Sequence, residues 1–558
     1  MLLNLRTLEA KAVAVPARFF WEILAPTILA LSSSYAALVM GSANWAATQR
    51  LRAIYPDDET RSHILPHDGM PIRAFTAVAW ERAQGLFVVG ALLLVATWLL
   101  LGLGRPGGRR ELRALGTELR RAGSRAWQAW RALPVWQRRI FEANLLLLSG
   151  VRLYLGWTLM WNDDATSYDL FVRHGLVAVG AYYPLPNNHE LSNLISLGFY
   201  QFYPGFWWSM RLPVLLTSTA GTVLLFLILV RRLGYWPALL AAGAASWLNP
   251  SLYYAAHGRG YWLLLLLTGL LFWALLALLD PPKASARERV AWLLLVGAGV
   301  LGSYAVPTFA YVLFSAWSWL GFQALRRRQW ALLRRAVLAG LLVLGGSVLC
   351  YGPTLYVSGW QALVDNPYLY PQPLYQPPHT WQALPTYLWL LESYLGGQFH
   401  WGAFVPLLAL GVFGWAAWQA RAGHLPAAGR RQIQQVGWPA LWFMCSAYVL
   451  LPVLRVLPPE RTWLYKSWFC FVLLAVGLAQ LPWTRARRWA LGVVVCLFAF
   501  YQLSALLLDH RGYWQYHANH SPGSKQPRAY EWFATHFDVP YPGGPVAAPA
   551  TMLPPKAK

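Results

Sequence analysis

What most constrains this chain is the recurrence, along nearly its whole length, of apolar runs of about 20 residues, each able to cross a hydrocarbon core about 30 Å thick as a helix. Strand-like alternation is absent, which argues against a barrel. Only 12% of the residues are charged, against roughly 25% in soluble domains. The fold class expected is therefore an all-α polytopic membrane protein. A net charge of +24 would ordinarily raise nucleic acid as a partner, but the basic residues stand in short clusters between apolar runs and read as topology signals. The cysteines, Cys350, Cys445, Cys470 and Cys496, fall inside apolar runs with no close pair, as buried small hydrophobes do.

The clusters orient the spans. Between Arg105 and Arg139 there are ten arginines against Glu111 and Glu118, which marks the segment as cytoplasmic. Trp127, Trp130 and Trp136 interleave with them, as in a helix lying on the anionic inner leaflet or in a plain charged linker. From there the runs alternate about this side, with Arg231-Arg232, Lys283 to Arg289, Arg326 to Arg328, Arg421 to Arg431 and Arg485 to Arg488 all inside. The count is about thirteen spans, including single ones over Trp236 to Ala255 and Ala336 to Val357. Four regions follow: 1–104 as a two-helix extension, 105–139 as the basic segment, 140–508 as the membrane core, and 509–558 as an outer tail, partly disordered, with a short helix over Arg528 to His536.

From Met210 onward the span interiors carry no ionisable group at mid-depth, which disfavours a coupled transporter. Chemistry is expected at the outer ends. There the first polar loop supplies Asp163, Asp164, Asn188, His189 and Glu190. A Gly-flanked turn supplies His257, Arg259 and Tyr261. The second long loop holds Asp365, His379, Glu392 and His400, and the last outer loop brings Arg461, with Lys466 one turn on. A carboxylate set, a cationic set and flat aromatic faces together suit a phosphorylated sugar. Tyr182, Tyr183, Trp207 and Trp208 would stack on such a sugar or form an interfacial aromatic belt.

The order of these features carries a family resemblance. A span is followed by an acidic pair, a Tyr-Tyr, an Asn-Asn-His, a return span opening Arg-Leu-Pro, an Arg-Gly-Tyr and a late arginine. The stretch from Ile140 to Leu508 resembles the GT-C superfamily of membrane glycosyltransferases, especially bacterial relatives of protein mannosyltransferases and aminoarabinose transferases. What the resemblance implies is sugar transfer from a polyprenyl-phosphate donor to a glycan, lipid or protein acceptor, at the outer face of the cytoplasmic membrane. It makes Asp163 or Asp164 the catalytic carboxylate, matches Arg259 and Tyr261 to the family's Arg-x-Tyr and Arg461 to a late arginine expected to hold lipid phosphate, and Lys466 is a further candidate cation for that phosphate. Asn188, His189, Glu190 and His257 would meet sugar or acceptor, with Glu190 standing where relatives often have proline.

The chemistry asks for few groups. Phosphate is already a stabilised leaving group, so one base suffices to take the acceptor's proton. Cations must meet the charge that develops on the departing phosphate. Adjacent residues on a helix point about 100° apart, so Asp163 and Asp164 are not expected to serve one atom, and the second would cap a loop helix starting near Thr166. A divalent metal held by His189, Glu190, His257 and the aspartates is a further possibility, as is, instead of an enzyme, a transporter or flippase of lipid-linked sugars.

Overall fold

A computed structural model describes residues 17–54, 73–158, 162–184, 188–280, 288–364, 379–397, 402–454 and 460–519. Asp365, His400 and the expected helix over Arg528 to His536 lie outside them. Every regular element among the described residues is helical, as lipid requires of a chain that must satisfy its own backbone hydrogen bonds.

Two long N-terminal helices, α1 (Phe19–Gly41) and α2 (Ala77–Gly104), with a shorter helix over Trp45–Ile54 between them, precede the basic helix α3 (Pro106–Arg131) and the long α4 (Val135–Thr158). The first polar loop is itself mostly helical, with α5 (Asn162–Leu170), α6 (Leu176–Ala181) and α7 (Glu190–Phe202). Next come α8 (Trp207–Leu233), α9 (Tyr235–Trp247), α10 (Asn249–Ala256), α11 (Tyr261–Leu279), α12 (Glu288–Ala305), α13 (Ala310–Arg326), α14 (Trp330–Cys350) and α15 (Gly352–Val357). The chain closes with α16 (His379–Leu395), α17 (Phe404–Arg421), α18 (Ala427–Gln432), α19 (Trp438–Leu454), α20 (Tyr465–Leu478) and α21 (Arg485–Asn519). Helices α1, α2, α8, α11, α14 and the first 24 residues of α21 are long and apolar enough to cross a membrane.

The bundle has two chemically different ends. Arg289 at the start of α12 donates to Glu111 and Glu118 of α3, at 2.7 Å each. Arg232 pairs with Asp280, Arg335 with Glu288, and Gln432 donates to the Arg232 carbonyl. Arg488 lies over the Trp236 ring. The basic clusters expected to share one side of the membrane thus meet in space, and α3 lies against the bundle with its acids inward and Arg109, Arg113, Arg120 and Arg121 exposed. Asp163, Asp164, His189, Arg211, His257 and Arg259 gather at the other end of the spans. The turn between α8 and α9 is tight because Gly234 takes a φ of 87°, a conformation costly for any residue with a Cβ.

Several expectations need correction. The run Trp236 to Ala255 is two helices, because Leu248 is extended (ψ 137°) and Pro250, without an N–H, cannot continue α9. Ala336 to Val357 divides likewise between α14 and α15, with Pro353 opening the second. The last helix runs on to Asn519 instead of ending at Leu508. Outside these corrections, the N-terminal extension touches the core through α1, where Phe20 meets Trp292 edge-on and the Tyr35 and Tyr304 hydroxyls bond at 2.6 Å.

Replacing Arg289 with Ala leaves Glu111 and Glu118 buried without a counter-charge, a loss on the order of 3 kcal/mol. The expected outcome is a lower melting temperature in detergent and faster proteolysis within α3. An unchanged cleavage pattern would show that α3 is held some other way.

Candidate functional site

The acidic pair opens α5, where the positive end of a helix favours carboxylates. The helix starts at Asn162, four residues before the expected Thr166, so both acids lie within its first turn. They point apart as the helical angle requires. Asp164 is fully buried, and its Oδ2 takes Arg211 at 2.8 Å and His257 Nδ1 at 2.9 Å. Asp163, 34% exposed, pairs with Arg259. The His257 and Arg259 contacts bring together segments 93 and 96 residues apart.

The turn His257-Gly258-Arg259-Gly260 presents the cation. A Cβ at Gly258 would stand 2.8 Å from the Met210 Cβ, and one at Gly260 would stand 3.1 Å from His189 Nδ1. Only glycine lets the turn lie this close to α8 and to the His189 loop. Arg259 is buried, its guanidinium 5.6 Å from the Tyr261 ring centroid and one nitrogen 2.9 Å from His189 Nε2. Accepting that bond requires His189 Nε2 to be unprotonated, so the ring is neutral with its proton on Nδ1. Burial, then the charges of Arg259 and Arg461, push the His189 pKa well below its usual value. Arg461 is therefore within electrostatic reach of both residues, although it arrives from a loop some 200 positions later.

The Asp164 group is electrostatically settled. Burial alone would raise its carboxyl, but Arg211 and then His257 outweigh this and hold it below the usual carboxylate range. Burial lowers His257, and Asp164 restores only part of that shift, so the ring is neutral and donates Nδ1–H to the carboxylate.

Other expected site residues lie elsewhere. The Asn188 amide donates to the carbonyls of Val179 and Tyr182 and accepts from Asn193, so it shapes its own loop. Glu190 turns away from Arg259 into a pocket of hydroxyls from Tyr351 and Thr354, where burial raises its pKa well above the usual value. Lys466 is 2% exposed, held by Glu392 and Tyr448 under the Trp463 ring. Of the aromatics, Tyr182 is buried with its hydroxyl on the Thr48 carbonyl, and Trp207 stacks on Trp157. The donors considered for a divalent metal do not converge, and no group of three such side chains does so among the described residues.

Sequence reasoning gave no partner to three residues, two of them, Arg211 and Glu392, noted only by position. Arg211 is the main counter-ion of Asp164, and its signal was an arginine at the mouth of an otherwise apolar run. Glu392 neutralises Lys466. Arg152 is buried within α4, 4.4 Å from the Trp262 ring centroid and 3.3 Å from Thr222 Oγ1. Arg152 precedes the interiors from Met210 onward on which the case against transport rests, whereas the break at Leu248 falls among them.

Fold and site define a multi-pass helical membrane protein with buried carboxylate, imidazole and guanidinium groups gathered at one end of its bundle. Among solved structures, the crystal structure of ArnT from Cupriavidus metallidurans bound to undecaprenyl phosphate aligns with a TM-score of 0.45 and 17% identity, covering 73% of this chain and 70% of that one. No family model and no curated protein matches the chain.

Asp164→Asn strands Arg211 in a dry site, at a cost of about 3–5 kcal/mol, and is expected to reduce the yield of folded protein. A wild-type melting curve for this variant would refute the pairing. Glu190 titrates higher in the folded state than in the unfolded chain, so its contribution is complete below the unfolded pKa and lost as pH rises through the folded one. Glu190→Gln should therefore melt like wild type at acidic pH and increasingly above it toward alkaline pH; parallel curves would contradict this.

Proposed function

We propose that the protein is a glycosyltransferase of the GT-C kind its sequence resembles, moving a sugar from a polyprenyl-phosphate donor to an acceptor hydroxyl at the non-basic end of the bundle. The observation that carries the reading is the Asp163–Arg259 pair with Arg461 in electrostatic reach. The Asp163 carboxylate pairs with a guanidinium from a distant segment, a second guanidinium acts on that pair through its charge, and the Asp163 side chain stays 34% exposed.

In the proposed step, Arg259 and Arg461 hold the donor phosphate. The acceptor oxygen forms a bond to the anomeric carbon as the bond from that carbon to the phosphate oxygen breaks. The bonding pair leaves with the phosphate, and Asp163 takes the acceptor proton. Asp163 is preferred to Asp164 because the latter is fully buried and bound to two partners. In the resting protein Arg259 neutralises Asp163. Phosphate arriving on Arg259 competes for that guanidinium and frees the carboxylate to act as base, which orders donor before acceptor. His189 keeps Arg259 in place by accepting one of its N–H bonds. Single displacement inverts the anomeric configuration.

The buried Arg152 and the break at Leu248 favour a second reading, movement of a lipid-linked sugar across the membrane. The two are separated by incubating purified protein with labelled polyprenyl-phosphate sugar and an acceptor extract. Transfer releases free polyprenyl phosphate, whereas transport leaves the donor whole. Asp163→Asn and Arg461→Ala should each lower that release by at least about 100-fold at normal expression; full activity in both would remove the site assignment.

A further inference from the structure

At the basic end of the bundle, remote from Asp163, a cavity of about 760 Å³ lies between α3, α8, α11, α12 and α18. Its inner wall is apolar, formed by Leu224, Leu227, Leu270 and Leu294. Its rim is cationic, with Arg231, Arg232 and Arg431. The Asp280 carboxylate gives both oxygens to Arg232, at 3.2 and 2.9 Å. Arg231 and Arg431 make no ion pair among the described residues, and Arg125 of α3 adds a third like charge within reach of Arg231.

Cations crowded at the mouth of an apolar chamber repel one another unless an anion joins them. The two carboxylates of α3 are taken by Arg289, so neither can serve. Water would solvate the rim but not the leucines behind it. A molecule with a phosphate at one end and hydrocarbon at the other satisfies both. The exposed arginines of α3 place this end of the bundle at the level of lipid phosphates, where basic pockets between spans take anionic head groups.

We propose that this cavity holds one anionic glycerophospholipid of the cytoplasmic leaflet, its phosphate between Arg231 and Arg431 and its acyl chains along the leucine wall. The bound lipid wedges α3 against α8 and α12. The proposal is independent of the transfer reading, since no residue of that site takes part.

Native mass spectrometry of the full-length protein with equal phosphatidylglycerol and phosphatidylcholine provides the test. A retained phosphatidylglycerol adduct is expected, weakened on the order of tenfold in an R231Q/R431Q variant. R485Q/R488Q removes the basic pair from a separate apolar groove lined by Trp136, Trp236 and Trp489, and should leave the adduct unchanged. Ala122→Trp fills the chamber from α3 without altering charge, and should abolish the adduct. Each variant is first matched to wild type by melting temperature without added lipid, and any that fails is replaced by its single-arginine form or by Ala122→Leu. Equal loss in R485Q/R488Q, retention in Ala122→Trp, or displacement by inorganic phosphate would overturn the proposal.

Discussion

The buried ion pair between Asp164 and Arg211 is the contact on which the non-basic end of this protein's bundle depends. It joins the start of α5 to the start of α8, and His257 brings the end of α10 onto the same carboxylate. Neither ion would be tolerated alone in so dry a site, since desolvation costs several kcal/mol per charge and only the partner returns it. With Asp164 held, its neighbour must point along a different radius of α5, and that direction leads to Arg259. The Asp163–Arg259 pairing is thus a consequence of the Asp164–Arg211 one.

A similar logic divides the whole bundle. An apolar solvent drives ions to the helix ends, where they are paired, solvated or laid against rings. At the basic end Arg289 straps α3 to the core, and cations exceed acids. At the other end Lys466 and Glu392 tie α20 to α16, and acids and cations balance more nearly. Arg152 stands outside this rule, buried within α4 and met by the face of Trp262 and a threonine hydroxyl instead of a carboxylate.

Asp163, His189, Arg259 and Arg461 were legible as a group because ionisable residues are conspicuous in a chain with 12% charge. Their meeting follows from spans that return each loop to the same side. The glycines beside Arg259 were legible as a turn, but not their closeness to Met210 and His189. Glu190 and Lys466 misled for a common reason. Sequence distance placed them next to His189 and Arg461, whereas helix rotation carries Glu190 toward Tyr351 and Lys466 toward Tyr448. Asn188 could not be recognised as a loop brace, because its partners are backbone carbonyls, which every sequence offers alike.

By itself the sequence determined the helical membrane class, the grouping of arginine clusters on one side and the residue types available outside the spans, because these follow from composition and from the length of apolar runs. The tertiary structure decided which acid met which base, where α9 gives way to α10, and that a cationic chamber lies beneath α3. Those outcomes depend on the rotation of each helix about its axis and on contacts between segments hundreds of residues apart, and apolar periodicity in nearly uniform hydrophobic runs carries little record of either.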